Sequence, residues 1–166
     1  MKTIPLNERI IFALDFTDPS EAKRWVDTID CEVKFFKVGL TLFMTDAYWQ
    51  VIDHIVKRGN KVMVDLKFFD IPETVHATVS QLKNKQISFV TVHGNDPIIQ
   101  AAVADKGDLK ILAVTVLTSF DESDMQQMGF TKTVEDLVLI RAKKALTLGC
   151  DGLVASPLEA AAVRKD

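Results

Sequence analysis

Asp65, Lys67 and Asp70 stand close together in the stretch Val-Asp-Leu-Lys-Phe-Phe-Asp-Ile-Pro-Glu-Thr at 64–74. Asp65 and Lys67 are two positions apart, so on an extended strand they share a face. Asp70 lies just beyond, ahead of Pro72, a residue type kept out of central strands and helix interiors. Lys37, at the end of an earlier apolar run, completes a set that alternates in sign: Lys37, Asp65, Lys67, Asp70. Such charges are costly in a partly dry pocket unless each is paired. Unit charges about 4 Å apart interact by roughly 4 kcal/mol at an effective dielectric near 20, so alternation lets each charge satisfy the next. An ammonium fixed between carboxylates is suited to delivering a proton where negative charge develops. The plainer reading is a surface salt-bridge cluster, which contributes little.

The elements that must position these residues are short apolar runs at 10–14, 33–38, 62–66, 87–92, 111–117 and 152–155, each of strand length. Between them apolar residues recur at helical spacing. Asp18 reads as an N-cap, with Pro19 at the first helical position and Glu21 three residues after the cap. Helical patterns at 47–57 and 134–148 stop at Gly59 and Gly149, and 118–133 reads as a long loop. Strict alternation of continuously apolar strands with helices predicts parallel strands covered by helices. The pattern leaves two architectures open: a doubly wound open sheet, or a closed barrel of eight βα units. The period of two puts Ile11, Ala13 and Asp15 on one face, then Val33, Phe35 and Lys37, then Met63, Asp65 and Lys67, then Phe89, Thr91 and His93. Each of these strands therefore ends on a polar or charged residue, at the end where parallel α/β folds build their sites.

A chain of 166 residues predicts one domain. With 48% apolar and 26% charged residues it is a globular composition, not a disordered one. A net charge of −3 and a pI of about 5.6 argue against a nucleic-acid partner, which calls for a basic stripe. No apolar stretch approaches the roughly 18 residues of a membrane span, and the first residues carry no secretory pattern. Cys31 and Cys150 make no disulfide framework, which predicts a reducing cytoplasm. The histidines form no Cys/His cluster of the kind that holds structural zinc. His93 reads as a structural strand-end residue, His54 and His76 as surface or packing, and Trp25 and Trp49 as helix packing. Met125 and Met128 fall in the long loop. Glycine-rich phosphate fingerprints are absent.

The segment Asp-Leu-Lys-Phe-Phe-Asp-Ile-Pro-Glu-Thr-Val resembles the Asp-x-Lys-x-x-Asp signature of the orotidine 5'-phosphate decarboxylase superfamily. Ala-Leu-Asp at 13–15, Phe-Lys-Val-Gly at 36–39, Val-His-Gly at 92–94 and Val-Thr-Val-Leu-Thr-Ser at 114–119 are similar to that family in the same order. The resemblance implies a TIM (β/α)8 barrel, of which this chain carries the first six units, and a homodimer with shared active sites. It implies decarboxylation of orotidine 5'-monophosphate to UMP, with no metal and no cofactor. Asp15 would bind the ribose hydroxyls, with Lys37 joining them to the charged array. Asp65 and Lys67 would flank the reacting carbon, Lys67 as proton donor. Asp70, Ile71 and Thr74 would reach into the partner's site, and Thr118 would touch the pyrimidine edge. The family's phosphate-gripping arginine and glutamine-bearing loop belong to the last two units, so little activity is expected of these residues alone. Two rivals remain: a magnesium-dependent sugar-phosphate decarboxylase or aldolase of the same superfamily, disfavoured by a lysine at position 37, and a non-catalytic barrel fragment.

Overall fold

The computed structural model describes residues 3–165. The strands are β1 (Phe12–Ala13), β2 (Phe35–Gly39), β3 (Lys61–Phe68), β4 (Phe89–His93), β5 (Lys110–Val114) and β6 (Gly152–Val154). The helices are α1 (Pro19–Ile29), α2 (Leu40–Phe43), α3 (Tyr48–Lys57), α4 (Pro72–Leu82), α5 (Asp96–Val103), α6 (Glu122–Gln127), α7 (Val134–Thr147) and α8 (Ala160–Val163). Strand order in the sheet is β1-β2-β3-β4-β5-β6, the order of the chain. A doubly wound sheet reverses its strand order at a switch point, whereas a barrel adds strands in sequence. Of the two architectures the periodicity left open, this order selects the barrel type.

The chain divides into two compact units. The first comprises the residues up to Leu66 together with Asn84–Val90. Here β1 pairs parallel with β2, Phe12 opposite Phe36 and Ala13 opposite Lys37. Next, β2 pairs parallel with β3, Lys37 opposite Met63 and Gly39 opposite Asp65. The first strand is shorter than its apolar run, although the Leu14 N–H still donates to the Lys37 carbonyl at 2.9 Å and Leu14 is fully buried. Helix α1 starts where the sequence places it, but the Asp18 side chain accepts from the Ser20 N–H, not from Glu21. Glu21 instead pairs with Arg24, so no capping box closes. Helices α1 and α3 pack together. Fully buried Val26, Phe36, Val51 and Ile55 are among the residues of this core. Phe12 and Phe16 stack on Trp25, and Lys85 lies over the Trp49 ring, which stays largely exposed.

The second unit comprises Lys67–Lys83 and the residues from Thr91 onward. Here β5 pairs parallel with β6, Leu112 opposite Gly152, and α4 packs on α5. The segment 118–133 is not wholly a loop. Asp121 and Asp124 bond each other's backbone N–H at 3.0 Å, a capping box that starts α6. The helix is short, and an aspartate stands where the familiar pattern has glutamate or glutamine, so its start signal is faint. Met125 on its inner face joins a buried cluster with Val116, Leu137 and Val138. Gly149 ends α7 with φ +98°, a conformation that disfavours a side chain. Gly94 meets a steric demand of a different kind: a Cβ there would lie 2.6 Å from the Val114 carbonyl oxygen.

Candidate active site

In the first unit, three strand ends place one cation between two carboxylates. Lys37 Nζ on β2 donates to Asp15 Oδ1 at 2.9 Å and Oδ2 at 3.3 Å, just past β1. It also pairs with Asp65 Oδ2 on β3 at 3.5 Å. The side chains grade from solvent inward: Asp15 is 57% exposed, Lys37 21% and Asp65 11%. The inner pair is therefore desolvated and the outer pair is screened. Parallel registry causes the convergence, since Asp65 lies opposite Gly39, the residue two beyond Lys37. An ideal Cβ on Gly39 would lie 3.5 Å from both Asp15 Oδ1 and Lys37 Nζ, so any longer side chain would crowd the array. Tyr48 is buried beside it. Burial, with the negative charge of Asp65, pushes the phenol well above its ordinary range and keeps it neutral.

In the second unit, Lys67 has φ +46°, a left-handed backbone inside β3. The strand runs on to Phe68, so this residue departs from extended backbone geometry within it. The Lys67 N–H donates to Thr91 Oγ1 at 2.9 Å. Asp70, Ile71 and Thr74 lie exposed at the start of α4, where Asp70 Oδ1 accepts from the Ile71 N–H at 2.7 Å. Thr118 is exposed and lines an open hollow of about 390 Å³ with Asp121, Glu122 and Ser156. His93 is half-buried, with its ring 4.7 Å from that of Phe69. Burial, then the charges of Arg141 and Lys67, hold its imidazole below the ordinary range. His54 pairs with Asp27 and His76 is exposed, as the sequence reading has them. Gly39 in the first unit and Thr91 in the second are residues to which the sequence assigned no role. Their signals were a glycine closing the Phe-Lys-Val-Gly run and a hydroxyl two residues before His93.

Among the described residues, no group of three or more His, Cys, Asp or Glu side chains is placed to hold a metal ion. No helix among them is long and apolar enough to cross a membrane.

Parallel βα units in chain order, with charged groups gathered at the carboxyl ends of the strands, define the TIM-barrel class. The family model "Orotidine 5'-phosphate decarboxylase / HUMPS family" matches residues 8–166. Orotidine 5'-phosphate decarboxylase of Methylococcus capsulatus is 50% identical over 163 residues, 98% of this chain and 67% of that protein. The protein of the same name from Stenotrophomonas maltophilia is 42% identical over 160 residues, 95% of this chain and 66% of its own length. Among solved structures, orotidine 5'-phosphate decarboxylase from Lactobacillus acidophilus superposes with a TM-score of 0.84 at 30% identity, covering 96% of this chain and 76% of that one. The chain belongs to the orotidine 5'-phosphate decarboxylase / HUMPS family, and it spans about two thirds of the length of the curated relatives it matches.

Proposed function

We propose that this chain supplies the first six βα units of a single-domain orotidine 5'-phosphate decarboxylase. That enzyme converts orotidine 5'-monophosphate to UMP and CO2 in pyrimidine biosynthesis, as a cytoplasmic homodimer. The observation that carries this reading is the Asp15–Lys37–Asp65 chain, which enters the Asp-x-Lys-x-x-Asp segment at Asp65. Both cysteines are free, which fits a reducing compartment.

The chemistry follows from what the reaction must stabilise. Loss of CO2 breaks a carbon–carbon bond and leaves the electron pair on a ring carbon, in the ring plane and little delocalised. A preorganised cation is then the main device available. Lys67 supplies it: its ammonium stabilises the carbanion and donates the proton that quenches it. Asp65 stands toward the departing carboxylate, and Lys37, anchored by Asp15 and Asp65, joins the ribose hydroxyls to the charged array. Asp15 accepts the ribose hydroxyls and Thr118 touches the pyrimidine edge. Asp70, Ile71 and Thr74 serve the partner's site, for which their exposure suits them. Binding energy from the distant phosphate lowers the barrier further.

Lys37 also separates this reading from its magnesium-dependent rival. Its ammonium occupies the position between Asp15 and Asp65 where a hard cation would need oxygen ligands. The test is orotidine 5'-monophosphate turnover by the full-length protein with and without EDTA. Equal rates are expected, and loss of activity in EDTA would favour the rival. Lys67→Ala should lower kcat by at least about 10³-fold with a far smaller change in KM. Mixing that variant with Asp70→Asn should recover part of the activity through hybrid dimers, and failure to recover any would defeat the shared site.

A further inference from the structure

Among the described residues, Lys67 and Gln86 combine a side chain with a positive φ, at +46° and +55°. Gln86 lies in the turn before β4, where such a backbone is common. Lys67 lies inside a strand, where it is not. A residue in this conformation persists only where its surroundings over-determine it. One group in contact with that backbone is Thr91, whose Oγ1 accepts from the Lys67 N–H at 2.9 Å. Thr91 sits in the middle of β4 and is fully buried. Its β-branched side chain has little χ1 freedom, so the position of Oγ1 is set by the β4 backbone. In an extended ladder an N–H goes to a neighbouring carbonyl. At Lys67 a side-chain hydroxyl accepts it, and the backbone turns.

We propose that Thr91 is a positioning residue for Lys67: its buried hydroxyl holds the Lys67 peptide in the left-handed conformation and so sets the point from which the ammonium reaches the reacting carbon. The proposal rests on Lys67 being the proton donor. A lysine stem is long, so a modest rotation at its Cα moves Nζ by an ångström or more. A misplacement of about 1 Å costs on the order of 10²-fold in rate. Substrate is held by other groups, so the effect falls on kcat and hardly on KM.

The experiment compares Thr91→Val, Thr91→Ala and Thr91→Ser with the parent in the full-length protein, measuring kcat and KM for orotidine 5'-monophosphate alongside melting temperature. Thr91→Val keeps the shape and removes the acceptor. It should lose about 10- to 100-fold in kcat with KM within about threefold, and Thr91→Ser should return kcat to within about threefold of the parent. Thr91→Ala carries the same expectation and is read where the valine variant does not fold. A parental kcat in the valine or alanine variant overturns the proposal, as does a serine variant as slow as they are, or a rise in KM with kcat intact. A parent that does not decarboxylate the substrate overturns the assignment of Lys67, and this inference with it. An active parent with an unimpaired valine variant overturns this inference alone.

Discussion

The two carboxylates that hold Lys37 should contribute very differently to stability, and in the order opposite to their distances. Asp15 is nearer, at 2.9 Å, but its side chain is 57% exposed. Asp65 is farther, at 3.5 Å, but only 11% exposed. With an effective dielectric of about 20 for the inner pair, Coulomb's law gives roughly 4.7 kcal/mol of gross attraction, against about 1.4 kcal/mol for the outer pair at the dielectric of water, about 80. Desolvation and side-chain entropy remove much of both, leaving about 1–3 kcal/mol for the inner pair and about 0.2–1 kcal/mol for the outer. The assay is a pair of double-mutant cycles by urea unfolding, one combining Lys37→Met with Asp65→Asn, the other combining it with Asp15→Asn. The Lys37–Asp65 coupling should exceed the Lys37–Asp15 coupling, by roughly 1.4 kcal/mol between the midpoints of these ranges, and persist at high salt, where the outer one fades. Equal couplings, or a larger one for Asp15, would refute the argument that burial outweighs distance in this array.

Acidification should destabilise the protein through His93. Its folded-state pKa lies below the ordinary value of 6.5 because of burial and the Arg141 and Lys67 charges, so the stability it contributes is present above about pH 6.5 and is lost as pH falls through that value toward the folded pKa. His93→Gln should flatten the stability profile in that window by chemical denaturation, and an unchanged slope would contradict it. Asp30 should add a second loss at lower pH. Hydrogen bonds from Arg58 and then Lys34 hold its carboxyl below the usual range, so its contribution vanishes as pH falls through that depressed pKa, and Asp30→Asn should remove this acid dependence. Gly94→Ala should cost about 1–3 kcal/mol of unfolding free energy, because the new methyl meets the Val114 carbonyl and backbone must move. A parental urea midpoint would show that the strand end yields freely.

One contact of the candidate site was readable from residue type and spacing. Lys37 and Asp65 were expected to pair because both end strands and carry opposite charge, and they do. The Asp18–Pro19 start of α1 and the Gly149 stop of α7 were also legible, because each depends on the backbone preferences of one or two residues. Helix α6 was not, because six residues give too little periodicity to register and its capping box uses an unusual partner. The left-handed backbone of Lys67 was not legible either. Period-two reasoning assumes extended backbone at every residue, and no property of the residues around Lys67 announces its positive φ.

Local order and part of the charge pattern were thus written in the sequence: alternating apolar runs fix strands and helices, and the opposite charges at the ends of two strands, Lys37 and Asp65, mark groups that pair. Registry, exposure and the hydroxyl from β4 were decided by the tertiary structure. Those depend on which strand end lies beside which, a long-range arrangement set by the packing of many side chains. It is this arrangement that buries Asp65, leaves Asp15 in solvent, and brings Thr91 to the backbone of Lys67.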